Sequence, residues 1–458
     1  MAPYLPDPRW HELGDNLHDV VAAANFPRHT LRWRNDAAAA SIGLDTLDDD
    51  AWVDHFARFA PLPGNLPAPL ALRYHGHQFG RYNPHLGDGR GFLHAQVRDD
   101  RGRLLDLGTK GSGTTPWSRG GDGRLTLKGG VRELLASELL EALGVPTCRT
   151  FSLVETGESL DRHDEPSPTR ACVMVRLSHG HVRFGSFQRL AVLRDTATMA
   201  RLVAYCARHF YPRTPEEPRA LLAAVSRRVG WLVGTWMGAG FVHGVLNTDN
   251  MNVSGESFDY GPWRFAPTLD PDFVAAYFDH EGLYAYGRQP DVGFWNLGQL
   301  ARSLALLVEP LDGALDDYAT QVHAGLRATV LRRLGRASAG EAADTALVDA
   351  LLVALAKTQA PMDAVFARAL SAQDDRTSLP DDATFDLARE MLGCFPRTVP
   401  STDATPSTPF PAWSLHIDEV ERVWRPVAER DDWTGVHAKV MAIRRLGAAL
   451  GAPATPPD

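Results

Sequence analysis

The sequence has few cysteines, and they stand far apart. The four are Cys148, Cys172, Cys206 and Cys394, and no Cys-x-x-Cys pair occurs. Neither a zinc knuckle nor a disulfide scaffold is therefore indicated, because both need cysteines at short, regular spacings. Isolated cysteines of this kind are typical of buried, small apolar side chains in a reducing compartment.

Long apolar runs and an excess of positive charge are also missing. No stretch of about 18 apolar residues occurs, so no transmembrane helix is expected. The N-terminus has neither the apolar core of a signal peptide nor the composition of a transit peptide. The formal net charge is −9, which disfavours a nucleic-acid or membrane-surface role, since both require basic patches. We expect a cytoplasmic protein that binds neither nucleic acid nor membrane.

A P-loop is absent as well, because no Gly-x-x-x-x-Gly-Lys-Ser/Thr string is present.

The spacing of apolar residues predicts a strand-rich first part and a mostly helical remainder from about residue 194. The predicted strands are 92–98, 104–110, 148–155 and 169–177. The predicted helices are 131–143, 225–240, 294–308, 312–334, 341–357, 361–371 and 434–450, and a linker rich in Pro, Ser and Thr is predicted at 396–411.

One stretch, from His243 to Gly261, carries the most specific chemistry. It contains Asp249-Asn250 and, about ten residues later, Asp259-Tyr260-Gly261. Kinase-like proteins use an Asn on a tight loop, followed by an Asp-aromatic-Gly, to hold the metal of bound ATP. Amide and carboxylate oxygens suit Mg²⁺ or Mn²⁺. A kinase places its catalytic Asp two residues after the His, where this chain has Val245, so a metal site is predicted without the usual base.

Upstream, three features occur in the order that kinases use to hold phosphates. A glycine-rich turn, Leu86 to Gly91, is followed by two strands, the second of which ends at Lys110. A polar loop, Gly111 to Gly130, follows, and its backbone N–H groups are suited to an anion. Glu133, placed in the first turn of the next helix, is predicted to pair with Lys110.

Two arginines, Arg176 and Arg183, bracket a turn after the strand at 169–177, and their guanidinium groups suit phosphate oxygens.

Taken together, the order of these motifs along the chain predicts an α+β fold of the bilobal protein-kinase type. ATP is expected between a β-rich N-lobe and a helical C-lobe, and family-specific extensions are expected outside them. The predicted units are an N-terminal extension at 1–70, the N-lobe at 71–185, the C-lobe at 186–395, and a linker with a C-terminal helical segment at 396–458.

The sequence resembles the SelO family, called YdiU in bacteria, of kinase-like protein adenylyltransferases. The resemblance runs from about Tyr74 to Gly261 and continues through Trp295-Asn296-Leu297. It is carried by four long strings: Gly76-His77-Gln78-Phe79-Gly80, Asp106-Leu107-Gly108-Thr109-Lys110-Gly111-Ser112-Gly113, Ser118-Arg119-Gly120-Gly121-Asp122-Gly123-Arg124 and Gly244-Val245-Leu246-Asn247-Thr248-Asp249-Asn250-Met251.

The resemblance implies transfer of AMP from ATP to Ser, Thr or Tyr hydroxyls of proteins, self-AMPylation among them, with ATP reversed relative to a kinase. It implies Asp249 as the catalytic base, and Asn250 and Asp259 as ligands of Mg²⁺ or Mn²⁺. The implied nucleotide-binding residues are Gly87, Gly89, Arg90, Lys110, Glu133, Asp122, Gly123, Arg176, Arg183 and Asp259.

Two other functions use the same residues. A phosphotransferase would use the same ATP and metal site and release ADP, and a non-catalytic pseudokinase is hinted at by Val245. The region around Leu127-Lys128-Gly129-Gly130 and the last fifty residues depart from the family pattern. No cysteine follows Cys394, so redox control through a C-terminal cysteine is not expected.

Overall fold

The structure is a computed structural model that describes residues 2–163, 165–399 and 411–457. Most of the linker predicted at 396–411 lies outside these residues. Within them the chain is mixed α and β. The strands are β1 His18–Val20, β2 Thr30–Arg34, β3 Leu70–Leu72, β4 Gly76–Gln78, β5 Arg81–Asn83, β6 Leu93–Arg98, β7 Leu104–Lys110, β8 Leu125–Thr126, β9 Arg149–Leu160, β10 Thr169–Ser178, β11 Phe241–Val242 and β12 Arg264–Phe265.

The helices of the described part follow mainly after the large sheet. They are α1 Asp36–Ser41, α2 Asp49–Phe56, α3 Leu127–Ala142, α4 Phe184–Leu193, α5 Thr196–Phe210, α6 Pro218–Ala239, α7 Gln289–Leu304, α8 Tyr318–Arg333, α9 Glu341–Thr358, α10 Met362–Ser371, α11 Asp386–Leu392, α12 Ile417–Arg430 and α13 Thr434–Leu450. None of these helices is both long enough and apolar enough to cross a membrane.

The large sheet is antiparallel and has the strand order β1-β3-β6-β7-β10-β9-β2, with β8 paired to β10. Every residue of β7 is buried, because both faces of the sheet are covered. Leu105 and Leu107 pack with the N-terminal segment that contains α1 and α2, and Leu104 packs on the opposite side, in the core that contains α3. The same alternation directs Lys110, the last residue of β7, to the side of the sheet that contains α3.

Helix α3 begins four residues earlier than predicted. Thr126 caps its N-terminus by accepting a hydrogen bond from Gly129 N at 3.1 Å, so the polar loop ends at residue 124 and not at 130. Glu133 consequently lies in the second turn, not in the first. The C-terminal helix α13 packs along α3, where Arg444 Nη2 lies 2.6 Å from Glu138 Oε1.

Helix α6 is the centre of the helical part and brings the chain into the loop that starts at His243. Its glycines let α8 approach closely: a Cβ on Gly234 would lie 2.0 Å from the Val322 carbonyl oxygen. The helix ends at Gly240, whose φ of +72° is the left-handed conformation that terminates helices. Strand β11 then pairs with β12 and fixes both ends of the segment between them.

Candidate active site

A cavity of about 930 Å³ lies between the sheet and the loop that follows β11. Its wall combines the glycine-rich turn before β6, the end of β7, the polar loop before β8, and the segment from residue 245 to 262. All of the predicted site residues line it except Glu133, namely Gly87, Gly89, Arg90, Lys110, Asp122, Gly123, Arg176, Arg183, Asp249, Asn250 and Asp259.

Asp259 lies at the centre of a cluster of charges. Its Oδ1 is 2.5 Å from Arg176 Nη1 and 3.3 Å from Lys110 Nζ, and its Oδ2 accepts from Arg183 Nη1 at 2.7 Å. Burial opposes ionisation of the carboxyl group, but the three cations outweigh burial and hold the pKa of Asp259 well below its usual range. Asp259 is therefore a permanent anion at neutral pH.

The predicted pair between Lys110 and Glu133 is present. Lys110 Nζ contacts Glu133 Oε1, and both side chains are almost completely buried. The other carboxylate oxygen, Oε2, has no hydrogen-bond partner within the described residues. Because Lys110 also contacts Asp259, the ammonium group is held between a helix carboxylate and the carboxylate of the loop.

Arg183 connects the arginine turn to the loop. Beyond its bond to Asp259, its Nη1 donates to the Asp249 carbonyl oxygen at 2.7 Å, and its Nη2 lies 3.5 Å from Asp88 Oδ1. The guanidinium also lies over the ring of Phe258, 4.6 Å from the ring centroid. One arginine thus contacts the glycine-rich turn, the backbone of the predicted base and the predicted metal ligand.

Asp249 has the properties of a proton acceptor. It is buried, its Oδ1 has no hydrogen-bond partner within the described residues, and Gln78 Nε2 lies 3.5 Å from Oδ2. Burial raises the pKa of Asp249 to about 6, although Arg183 acts in the opposite direction. A carboxylate with a pKa close to neutrality is largely ionised at pH 7 and still accepts a proton readily.

Asn250 is oriented by its own loop. Its Nδ2 donates to the Val245 carbonyl at 2.8 Å, which leaves Oδ1 as the atom available to a ligand. The loop is supported from α7, where Asn296 Nδ2 donates to the Leu246 carbonyl at 2.9 Å. This contact gives a structural reason for the Trp295-Asn296-Leu297 string of the predicted family.

The string Gly76 to Gly80 supports the same loop from the other side. His77 N donates to Thr248 Oγ1 at 2.7 Å, and Phe79 N donates to Asn247 Oδ1 at 3.2 Å. A Cβ on Gly76 would lie 2.9 Å from Asp249 Oδ1, so a larger residue would displace the carboxylate. The supporting role of this string was not predicted from the sequence.

The glycine-rich turn has a packing requirement that sequence analysis missed. A Cβ on Gly87 would lie 2.3 Å from Trp117 Cγ, and a Cβ on Gly89 would lie 2.7 Å from the Trp117 carbonyl oxygen. Trp117 belongs to the polar loop and lines the cavity. The glycines therefore allow the turn to pack against this loop, and Arg90, which follows them, has an exposed side chain at the cavity wall.

Two further cavity residues were not predicted. Asp88, between the two glycines, is partly buried, and its pKa is raised because desolvation outweighs the nearby Arg183. Arg162 pairs with Asp122 at 2.8 Å and stands beside Gly123 in the cavity wall. Asp88 could have been predicted as a cavity residue because it lies inside the glycine-rich turn. Arg162 could not, because it lies in a segment without any motif.

Comparison with known proteins identifies the family of the chain. A family model described as "Protein adenylyltransferase SelO" matches residues 4–444, and thus reaches well into the last fifty residues, where poor agreement was expected. Similar proteins, each named "Protein nucleotidyltransferase YdiU", occur in Gloeobacter violaceus, Synechocystis sp. and Trichormus variabilis. They are 43%, 44% and 42% identical, over 96%, 93% and 96% of this chain and 95%, 95% and 96% of their own lengths. This chain therefore belongs to the SelO family of protein adenylyltransferases.

Proposed function

We propose that this protein transfers AMP from ATP to Ser, Thr or Tyr hydroxyls of other proteins and releases pyrophosphate. The observation that carries the proposal is the cluster in which Lys110, Arg176 and Arg183 surround the carboxylate of Asp259, in one cavity with the buried carboxylate of Asp249. Membership of the adenylyltransferase family supports the same reaction.

In the proposed reaction the acceptor oxygen forms a bond to the α-phosphorus, and the bond from this phosphorus to the bridging oxygen of pyrophosphate breaks. Asp249 takes the hydroxyl proton, because its Oδ1 has no other partner within the described residues. Lys110, Arg176 and Arg183 hold phosphate oxygens, since positively charged donors stabilise charge that develops on a leaving group. Glu133 keeps Lys110 in place.

The side chains of the cavity fit a divalent cation. Asn250 Oδ1 and the carboxylate of Asp259 are hard oxygen donors, which Mg²⁺ and Mn²⁺ prefer. A bound cation would supply positive charge to the phosphates of ATP. Asp259 oxygens already accept bonds from arginine and lysine, so this chain keeps the carboxylate ionised and ready for such a ligand.

We extend the proposal to the architecture. The sheet with α3 corresponds to a kinase N-lobe, and the helices from α4 onward correspond to a C-lobe, with ATP reversed between them relative to a kinase. Lys110 on β7, Glu133 on α3 and Asp259 after β11 occupy the order and the connections that a kinase-like fold requires. The boundaries predicted at 71–185 and 186–395 are part of this proposal.

Labelled ATP tests the reaction class. The purified chain is incubated with a divalent cation and with ATP labelled at either the α or the γ position, and the intact masses of the chain and of an added protein are measured. Transfer of the α-label, with a mass gain of one AMP moiety and release of pyrophosphate, supports the proposal. Transfer of only the γ-label with release of ADP identifies a phosphotransferase, and ATP binding without any transfer identifies a pseudokinase.

A further inference from the structure

A second cleft adjoins the nucleotide cavity and has a wall of its own. It encloses about 410 Å³ and shares one wall with the nucleotide cavity, formed by Arg90, Lys110, Arg124, Arg162, Gly261, Pro262 and Tyr277. The rest of its lining comes from β8 and the first turns of α3, from Glu165 and Tyr260, from β12 and the segment around residue 275, and from Ile417 and Glu421 of α12. A group bound in this cleft would therefore lie next to the nucleotide without occupying its cavity.

The cleft carries an excess of positive charge. Several of its cations are already neutralised by ion pairs, namely Lys110 with Glu133, Lys128 with Glu421, Arg124 with Glu158 and Arg162 with Asp122. Arg132 on α3 and Arg264 on β12 differ from these, because neither makes an ion pair within the described residues. They are also close enough to repel each other.

The environment of the two arginines disfavours their charged forms. Arg132 Nη2 donates to the Trp263 carbonyl at 3.0 Å, and its guanidinium lies over the Trp263 ring, 4.8 Å from the centroid. Burial, followed by repulsion from Arg264, lowers the pKa of Arg132 to about 10, although Glu421, Glu133 and Glu165 act in the opposite direction. Arg264 is half-buried, and burial lowers its pKa although Glu421 and Asp418 act in the opposite direction. An anion that enters the cleft stabilises both cations.

We propose that this cleft receives the carboxylate of an Asp or Glu residue of the acceptor protein, close to the hydroxyl that is modified. The inference rests on the proposed function, since the cleft adjoins the cavity in which AMP would be transferred. Tyr277 and Phe278, whose exposed fractions are 74% and 42%, stand at the wall and offer apolar contact to neighbouring acceptor residues. The chain as a whole carries a net charge of −9, so attraction of an acidic segment is local to this cleft.

Three matched peptides test the inference. Each contains one Ser acceptor, flanked by Glu in the first peptide, by Gln in the second and by Lys in the third. Transfer from α-labelled ATP is measured as kcat/KM. We expect a value about tenfold higher for the Glu peptide than for the Gln peptide, and the lowest value for the Lys peptide, because a carboxylate gains charge-assisted bonds to guanidinium. The difference should shrink in high salt.

The variant Arg264→Glu separates recognition from folding. Arg264 makes no side-chain hydrogen bond within the described residues, whereas the loss of Arg132 would uncover Trp263. We expect Arg264→Glu to invert the order, with the Lys peptide preferred over the Glu peptide, and to bind ATP like the wild type. Arg425→Glu, which changes an exposed arginine on α12, is the control and should keep the wild-type order.

The remaining outcomes distinguish this inference from the proposed function. Equal transfer to the three peptides by the wild type, or an order that Arg264→Glu leaves unchanged, overturns the inference alone. Equal loss of transfer to every peptide together with weaker ATP binding also overturns it, because the cleft would then serve the nucleotide. If the wild type transfers no AMP to any peptide, protein or itself, the proposed function fails first.

Discussion

Asp249 is the single residue with the clearest expected effect. The substitution Asp249→Asn removes the proton acceptor and keeps the size of the side chain, so AMP transfer should fall by about 10²- to 10⁴-fold. ATP binding should change little, because Arg183 contacts the backbone carbonyl of residue 249 and not its side chain. Transfer is followed with α-labelled ATP, and binding by equilibrium dialysis.

Asp249→Ala is the companion variant, because an amide at this buried position would itself lack a partner. If both variants keep the wild-type rate, another group takes the proton and the assignment of Asp249 is wrong. If both lose ATP binding as well as transfer, the residue shapes the cavity and does not act on the acceptor.

The Lys110–Glu133 pair allows stability to be separated from activity. Lys110→Met leaves the buried Glu133 carboxylate unpaired, which should destabilise the protein by about 3–5 kcal/mol. The double variant Lys110→Met, Glu133→Leu removes both charges, and its stability should return to within about 2 kcal/mol of the wild type. Neither variant should transfer AMP. Urea unfolding followed by tryptophan fluorescence measures the first effect, and α-label transfer measures the second.

Recovery of activity in the double variant would contradict the role given to Lys110, since Met cannot hold a phosphate. A single variant as stable as the wild type would show that Glu133 finds another partner or takes up a proton.

At the scale of elements, the contact between α13 and α3 connects the C-terminal helices to the site. Arg444 binds Glu138, which lies five residues beyond Glu133 on α3 and has its side chain almost completely buried. Arg444→Ala should reduce stability by about 1–3 kcal/mol, the cost of leaving a buried polar group unsatisfied. AMP transfer should fall in parallel, because α3 positions Glu133.

Arg430→Ala provides the matched control on the neighbouring helix α12. The side chains of Arg430 and its partner Glu429 are largely exposed, and such a pair contributes about 1 kcal/mol or less. Equal effects of the two substitutions on stability would contradict the contribution assigned to the Arg444–Glu138 contact.

The elements also indicate how far local sequence determines structure here. Strand β7 begins and ends where its alternation and the Asp-Arg-Gly turn predict. The start of α3 was missed because Gly129 and Gly130 disfavour a helix. A Cβ on Gly130 would lie 2.6 Å from Leu153 Cδ1, so this glycine lets the helix pack on β9, which is a tertiary requirement that local sequence does not reveal.

Other boundaries shifted for similar reasons. The helix predicted to open at Phe294 begins at Gln289, and the strand predicted to end at residue 155 continues to Leu160. Pro290, at the second position of this helix, is favourable at a helix start. Strand β9 continues because β10 extends alongside it as far as Thr169.

For the whole molecule, most residues that line the cavity could be named from the sequence, but much of what surrounds them could not. Lys110, Glu133, Asp249 and Asp259 were available from the sequence because their order matches a known pattern of chemistry. The pair Arg162–Asp122, the second cleft with Arg264, and the packing of α13 on α3 depend on contacts between distant segments. No local pattern encodes such contacts, so they emerge only from the folded chain.

The distribution of the four thiols gives a prediction for the molecule as a whole. Cys394 is exposed, whereas Cys148, Cys172 and Cys206 are buried, and burial raises the pKa of each of these three thiols. Because the thiolate is the reactive form, one thiol should react quickly with a maleimide in the folded protein, and four should react in denaturant. Intact mass counts the added groups, and Cys394→Ser should reduce the fast count to zero. Fast reaction of a second thiol would mean that the core around α3, α5 or β10 opens under native conditions, which the close packing of these elements argues against.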